Sequence, residues 1–134
     1  MPETKRRRKL RILIVEDNPV SGRSISASMS AFHWMSDMAK SGEEAVRKAF
    51  SAHYDVILMD LELPGINGIE ATRKIREHEA ASGDKRQIII AFTAHINKHS
   101  AMKCLDAGMD AYAPKGISAE ALKGIIVRCA SWAD

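Results

Sequence analysis

Five residues carry groups that could act together: the adjacent acids Glu16 and Asp17, a third acid Asp60, the hydroxyl of Thr93 and the ammonium of Lys115. Each comes at the end of a short apolar run. Glu16-Asp17 follows Leu10–Val15, Asp60 follows Val56–Met59, Thr93 follows Ile88–Phe92, and Lys115 comes just after Ala111–Ala113. Carboxylates converging on one spot raise each other's pKa unless a cation joins them. Mg²⁺ suits such a set, because it takes oxygen ligands, keeps several waters and uses few carboxylates together with phosphate oxygens. A phosphoryl group arriving at Asp60 would meet the metal on one side, the Lys115 ammonium on another and the Thr93 hydroxyl as a donor. That is the positioning and charge neutralisation that phosphoryl transfer requires. Singly, each residue has an ordinary explanation: an acidic pair caps a helix, a threonine ends a strand, a lysine solvates a surface. The set gains meaning only if one fold gathers it.

The elements needed for that gathering are legible. From Leu10 onward, short apolar runs alternate with longer amphipathic stretches, the pattern of βα units around a parallel sheet. Leu10–Val15, Val56–Met59 and Ile88–Phe92 lack polar alternation, as strands covered on both faces should; Trp34–Ala39 and Ala111–Ala113 are weaker strand candidates. Helices are predicted near 19–31, 42–52, 67–80, 97–107 and 118–130. Asn18-Pro19 provides a cap and a first helical residue, Ser41 with Glu44 a capping box, Ser118 with Glu120 an acidic first turn, and Gly108 a stop. The serine-rich first helix has poor propensity and must rely on packing of Val20, Ile25 and Met29. Residues 81–87 read as a polar loop. The expected architecture is (βα)₅. In such open sheets, ligands bind beyond the carboxyl ends of the strands, where all five groups fall.

A chain of 134 residues with 46% apolar content suits one domain with one buried core. No apolar run reaches the ~20 residues that span a bilayer, and no secretory signal opens the chain, so a cytoplasmic location is expected. Cys104 and Cys129 lack metal-ligand spacing and fall inside apolar helical patterns, which makes them reduced core residues. The formal charge of +3 owes much to Lys5, Arg6, Arg7, Arg8, Lys9 and Arg11. Without residues 1–11, 14 basic residues face 16 acidic ones. The basic run reads as a solvated tail or linker; with no helix-turn-helix or zinc pattern after it, no specific nucleic-acid partner is expected.

The chain resembles the receiver domains of bacterial, fungal and plant two-component phosphorelays from Leu10 to about Ala130. The matching stretches are Ile12–Asn18, Asp55–Gly65, Asn67–Glu70, Ala91–His95, Ala107–Asp110 and Tyr112–Lys115. The resemblance implies one receiver over residues 10–131 behind a basic tail or linker over 1–9. It implies a doubly wound, flavodoxin-like fold with a parallel five-stranded sheet in the order 2-1-3-4-5. Asp60 matches the phosphoacceptor, and Glu16 and Asp17 match the pair that holds Mg²⁺, with Asp60 and the backbone carbonyl of Glu62 completing the protein's metal ligands. Thr93 and Lys115 match the groups that contact the phosphoryl oxygens, and Thr93 and Tyr112 the pair that switches with phosphorylation. The implied donor is a phosphohistidine on a histidine kinase or a histidine phosphotransfer protein, and the chemistry is largely self-catalysed. The stretches around Thr93 and Cys104–Asp110 are similar to receivers of hybrid sensor kinases; a stand-alone response regulator is the other form. One position departs: the family usually has a cis proline after its lysine, whereas Gly116 stands here. Two other readings remain beside this one, a binding-only pseudo-receiver and a hydrolase using Asp60 as nucleophile.

Overall fold

The computed structural model describes residues 9–94 and 96–132. The basic residues Lys5–Arg8 and His95 of the matched stretches lie outside them. The elements in chain order are β1 (Arg11–Val15), α1 (Pro19–Ala31), β2 (Met35–Ala39), α2 (Gly42–Ser51), β3 (Val56–Asp60), α3 (Gly68–Ser82), β4 (Ile88–Thr93), α4 (Lys98–Ala107), β5 (Ala111–Pro114) and α5 (Ala119–Trp132). All neighbouring strands pair in parallel, in the order β2-β1-β3-β4-β5. This is the expected (βα)₅ doubly wound sheet.

Strand alternation splits the core between the two faces of the sheet. Ile12, Ile14, Leu58 and Ile90 pack with Ile25 and Met29 of α1 and with Leu122 and Ile126 of α5. Leu13, Ile57, Met59 and Ile89 face the other way, onto Ala45 of α2, Ala71 and Ile75 of α3 and Cys104 of α4. Each fully buried Leu, Ile or Met contributes on the order of 1.5–3 kcal/mol relative to exposure. Cys104 and Cys129 are free and buried, one in each cluster, as the sequence led us to expect. Burial pushes both thiols up.

Capping fixes where the helices begin. The Asn18 side chain accepts from the amides of Val20 and Ser21, Ser41 from Glu44, and Ser118 from Ala121. The capping box is displaced by one residue, because the Glu44 carboxylate accepts from the Lys40 amide at 2.7 Å rather than from the cap itself. Packing does carry α1, but through Gly22, Ile25 and Met29; Val20 is 68% exposed. α3 outruns its expected end and reaches Ser82, its last turn held by Glu79 pointing back into the protein.

Glu79 belongs to a polar network at the edge where the strands begin. Arg76 donates to the carbonyls of Gly108 and Gln87 at 3.0 and 2.7 Å and to the carboxylates of Glu79 and Asp110 at 2.7 and 3.0 Å. Glu79 accepts from the Gln87 amide at 2.8 Å, Asp110 from the Ile89 amide at 2.9 Å, and Arg86 pairs with the second Asp110 oxygen at 2.6 Å. This network ties α3, β4 and the turn after α4 together. Each helix runs back antiparallel to its strand, so the end of α5 returns to this same edge while the connections leaving the strands gather at the other.

Candidate functional site

At the carboxyl edge, Glu16 directly follows β1, Asp60 ends β3, Thr93 ends β4 and Lys115 follows β5. Sequence periodicity placed the third and fourth strands one residue short, because it ends where apolarity ends; the hydrogen-bonded ladder includes Asp60 and Thr93. That extra residue matters. It buries both side chains, leaving Asp60 and Thr93 each 2% exposed, with Glu16 beside them at 1%.

The ligand oxygens of Glu16, Asp17 and Asp60 all lie within 4.8 Å of one another. Lys115 stands among them, its Nζ 2.9 Å from Glu16 Oε1 and 2.9 Å from Asp60 Oδ2. The remaining lone pairs of the buried carboxylates are met from nearby: Glu16 accepts from the Asn18 amide at 3.2 Å and the Ser21 hydroxyl at 3.0 Å, and Asp60 Oδ1 accepts from the Glu62 amide at 3.0 Å. Ser21 was missed at the sequence level, where it counted only as a poor helix former; its place in the first turn after an Asn18 cap was the available signal. Gly68 lets α3 start directly against the loop, since a Cβ there would run into the Asp60 carbonyl.

Burial raises the Asp60 carboxyl above its ordinary value, and a hydrogen bond shared with Glu16 adds to this; together they outweigh the lowering by Lys115 and the Glu62 amide. Burial pushes Glu16 upward as well, but Lys115, the Asn18 amide and Asp60 bring it below the usual range. Burial works against the charged form of Lys115 too, yet its two carboxylate partners raise it, so the ammonium persists. Three carboxylates against one ammonium leave the cluster with surplus negative charge and an all-oxygen donor set, which fits Mg²⁺. Asp17 is the exposed member and therefore the one reached from solvent.

Thr93 is tied to the same corner through its backbone, its carbonyl accepting the Lys115 amide at 2.8 Å. Tyr112 pairs with Ala91 on the edge strand β5 and is 49% exposed. Glu62 contacts the site through its amide, with an exposed side chain. The structure thus brings Glu16, Asp17, Asp60 and Lys115 into one cluster, buries Thr93 at the end of β4 with its carbonyl bonded to the Lys115 amide, and places Tyr112 on β5.

Residues 12–127 match the family model described as the response regulator receiver domain. The chain belongs to this family. Among curated relatives of this receiver, hybrid signal transduction histidine kinase L of Dictyostelium discoideum is 34% identical over 119 residues, covering 87% of the chain and 7% of that protein. The chain therefore spans a small part of such relatives. Among solved structures, the receiver domain of sensor histidine kinase PA1611 from Pseudomonas aeruginosa, with magnesium coordinated in its active-site cleft, is 37% identical, with a TM-score of 0.82 over 92% of this chain and 99% of that one. The co-crystal structure of the Saccharomyces cerevisiae phosphotransfer protein Ypd1 with the receiver domain of Ssk1 matches at 32% identity, with a TM-score of 0.84, covering 92% and 90% of the two chains. The protein is a phosphorelay receiver homologous to those of hybrid kinases. The binding-only alternative finds no support, since Asp60 and the acidic pair Glu16-Asp17 are all present and converge.

Proposed function

We propose that this receiver takes a phosphoryl group onto Asp60 from a phosphohistidine on a histidine kinase or a histidine phosphotransfer protein. The observation that carries the reading is the buried Asp60 carboxylate beside Glu16 and Asp17 with Lys115 bonded across it. Residues 10–131 form the receiver and residues 1–9 a basic tail or linker; the setting is cytoplasmic, and among the described residues no helix is long and apolar enough to cross a membrane. The magnesium named for the PA1611 receiver and the phosphotransfer partner named for the Ssk1 receiver support the same chemistry here.

As the P–N bond of the donor breaks, a P–O bond forms to an Asp60 carboxylate oxygen, and the freed imidazole leaves. Glu16, Asp17, Asp60 and the Glu62 carbonyl would hold Mg²⁺, which when bound offsets charge on the phosphoryl oxygens. Lys115 supplies a fixed positive charge on the other side, and Thr93 a hydroxyl at the end of β4. The Glu62 amide orients Asp60. Incubation with acetyl phosphate and Mg²⁺, followed by intact mass measurement, should show a gain of about 80 Da, labile as an acyl phosphate is. An unchanged mass under saturating donor and metal would defeat the reading.

Metal binding has its own expected result. Mg²⁺ bound to the folded form raises the melting temperature by mass action. Asp17→Ala should erase that increase while leaving the metal-free melting temperature nearly unchanged, because Asp17 is exposed. An undiminished increase in Asp17→Ala would assign the metal to other residues.

Phosphorylation biases shape only through contacts that differ between two conformations. Thr93 and Tyr112 are the proposed pair: the Thr93 hydroxyl moves to the new phosphoryl oxygens, and the half-exposed Tyr112 ring turns inward, changing the face formed by α4, β5 and α5. This face is where an attached or separate output partner reads the state. Beryllofluoride with Mg²⁺, a phosphoryl mimic, should shift NMR resonances around Tyr112 in wild type and much less in Thr93→Ala. Shifts confined in both proteins to the loops around Asp60 would show that Tyr112 takes no part.

A further inference from the structure

The loop that delivers Lys115 has an unusual basis. The Ile117 amide donates to the Pro114 carbonyl at 3.2 Å, closing a four-residue turn whose third residue, Gly116, has φ +92°. A positive φ at that position is the type II pattern, for which glycine is preferred. The first central residue of the turn is Lys115, and its own amide is pinned to the Thr93 carbonyl at 2.8 Å. The backbone from which the lysine side chain departs is therefore set on one side by β4 and on the other by the conformation of Gly116. The peptide bonds of this loop, like the others among the described residues, are trans.

We infer that Gly116 is a positioning residue: its left-handed backbone closes the Pro114–Ile117 turn and thereby holds the Lys115 ammonium on Glu16 and Asp60. The inference rests on the phosphoacceptor reading for its consequence in phosphoryl transfer, and on the turn alone for its geometry. It also has a clean signature. A Cβ at Gly116 would meet nothing within 4 Å, so a substitution there acts through φ and not through a clash. Asparagine tolerates positive φ better than alanine, and a β-branched residue tolerates it least. Conformational control therefore orders the variants Gly, Asn, Ala, Val. Side-chain bulk would instead place Ala ahead of Asn.

The test uses the whole chain with acetyl phosphate and Mg²⁺. Gly116→Ala should slow phosphorylation roughly tenfold, as expected of a displaced charge next to the reacting group, and Gly116→Asn should recover much of that loss. In a Lys115→Met background the same Gly116→Ala change should alter the rate less than about twofold, since the group it positions is gone. A second readout needs no phosphorylation. The Lys115 ammonium protons, visible by NMR when held in hydrogen bonds, should be retained in wild type and Gly116→Asn and lost in Gly116→Ala. Should wild type accept no phosphoryl group while the ammonium signal still follows the order Gly, Asn, Ala, the positioning stands and the proposed function falls. Wild-type rates and an intact ammonium signal in Gly116→Ala overturn the positioning, as does an equal loss of rate with and without Lys115.

Discussion

In Asp60→Asn the gain of about 80 Da expected of the wild type disappears completely, because the amide offers no nucleophilic oxygen for acyl-phosphate formation. The loss is chemical, not structural. Asparagine keeps a carbonyl oxygen that can accept from the Glu62 amide or from Lys115, as Asp60 does at 3.0 and 2.9 Å. The substitution also removes one of two buried carboxylates that share a single ammonium, so no loss of stability is expected. Intact mass spectrometry after incubation with acetyl phosphate and Mg²⁺ checks the chemistry, and a thermal melt checks the fold. A full mass gain in a folded Asp60→Asn protein would move the acceptor elsewhere.

The second large effect lies at the opposite edge of the sheet. Arg76→Met should destabilise the protein by about 3–5 kcal/mol, the cost of leaving buried charges without their partner. Arg76 neutralises Glu79 and Asp110, whose side chains are 8% and 10% exposed, and it satisfies two carbonyls besides. Asp110 retains Arg86 at 2.6 Å, whereas among the described residues Glu79 keeps only the Gln87 amide and side chain. Glu79→Gln added to Arg76→Met should therefore recover part of the loss, because it removes the more isolated charge. Urea denaturation of the single and double variants provides the measurement. A cost below about 1 kcal/mol for Arg76→Met would place these pairs in the class of weak surface bridges.

The sheet was readable wherever its strands are covered on both faces. β1 from Ile12, β3 as far as Met59 and β4 as far as Phe92 are continuous apolar runs because helices pack above and below them. β2 and β5 are edge strands with partly exposed residues such as Asp37 and Tyr112, so their apolar signal is diluted. The acidic cluster was readable for a related reason, since a carboxylate terminating a buried strand stands out against its neighbours. Ser21 did not stand out, because a serine among four others on α1 carries no mark of the hydrogen bond it donates to Glu16. The Arg76 network was equally hidden. Its members are spread over 34 residues between Arg76 and Asp110, and in sequence each looks like an ordinary surface charge. Gly116 was visible as a departure from the family pattern, but only backbone geometry shows the turn that stands in its place.

The opening of β1 and the close of α5 lie at the same edge of the sheet, with the thickness of the domain between them and Asp60. Cargo joined to either end, or to both, is held on the far side from the surface that the proposed phosphoryl donor would approach. The domain is thus suited to being carried within longer polypeptides, much as a socket can be wired from behind. A fluorescent protein fused before β1 or after α5 should accordingly leave acetyl-phosphate labelling of Asp60 at the rate of the untagged chain.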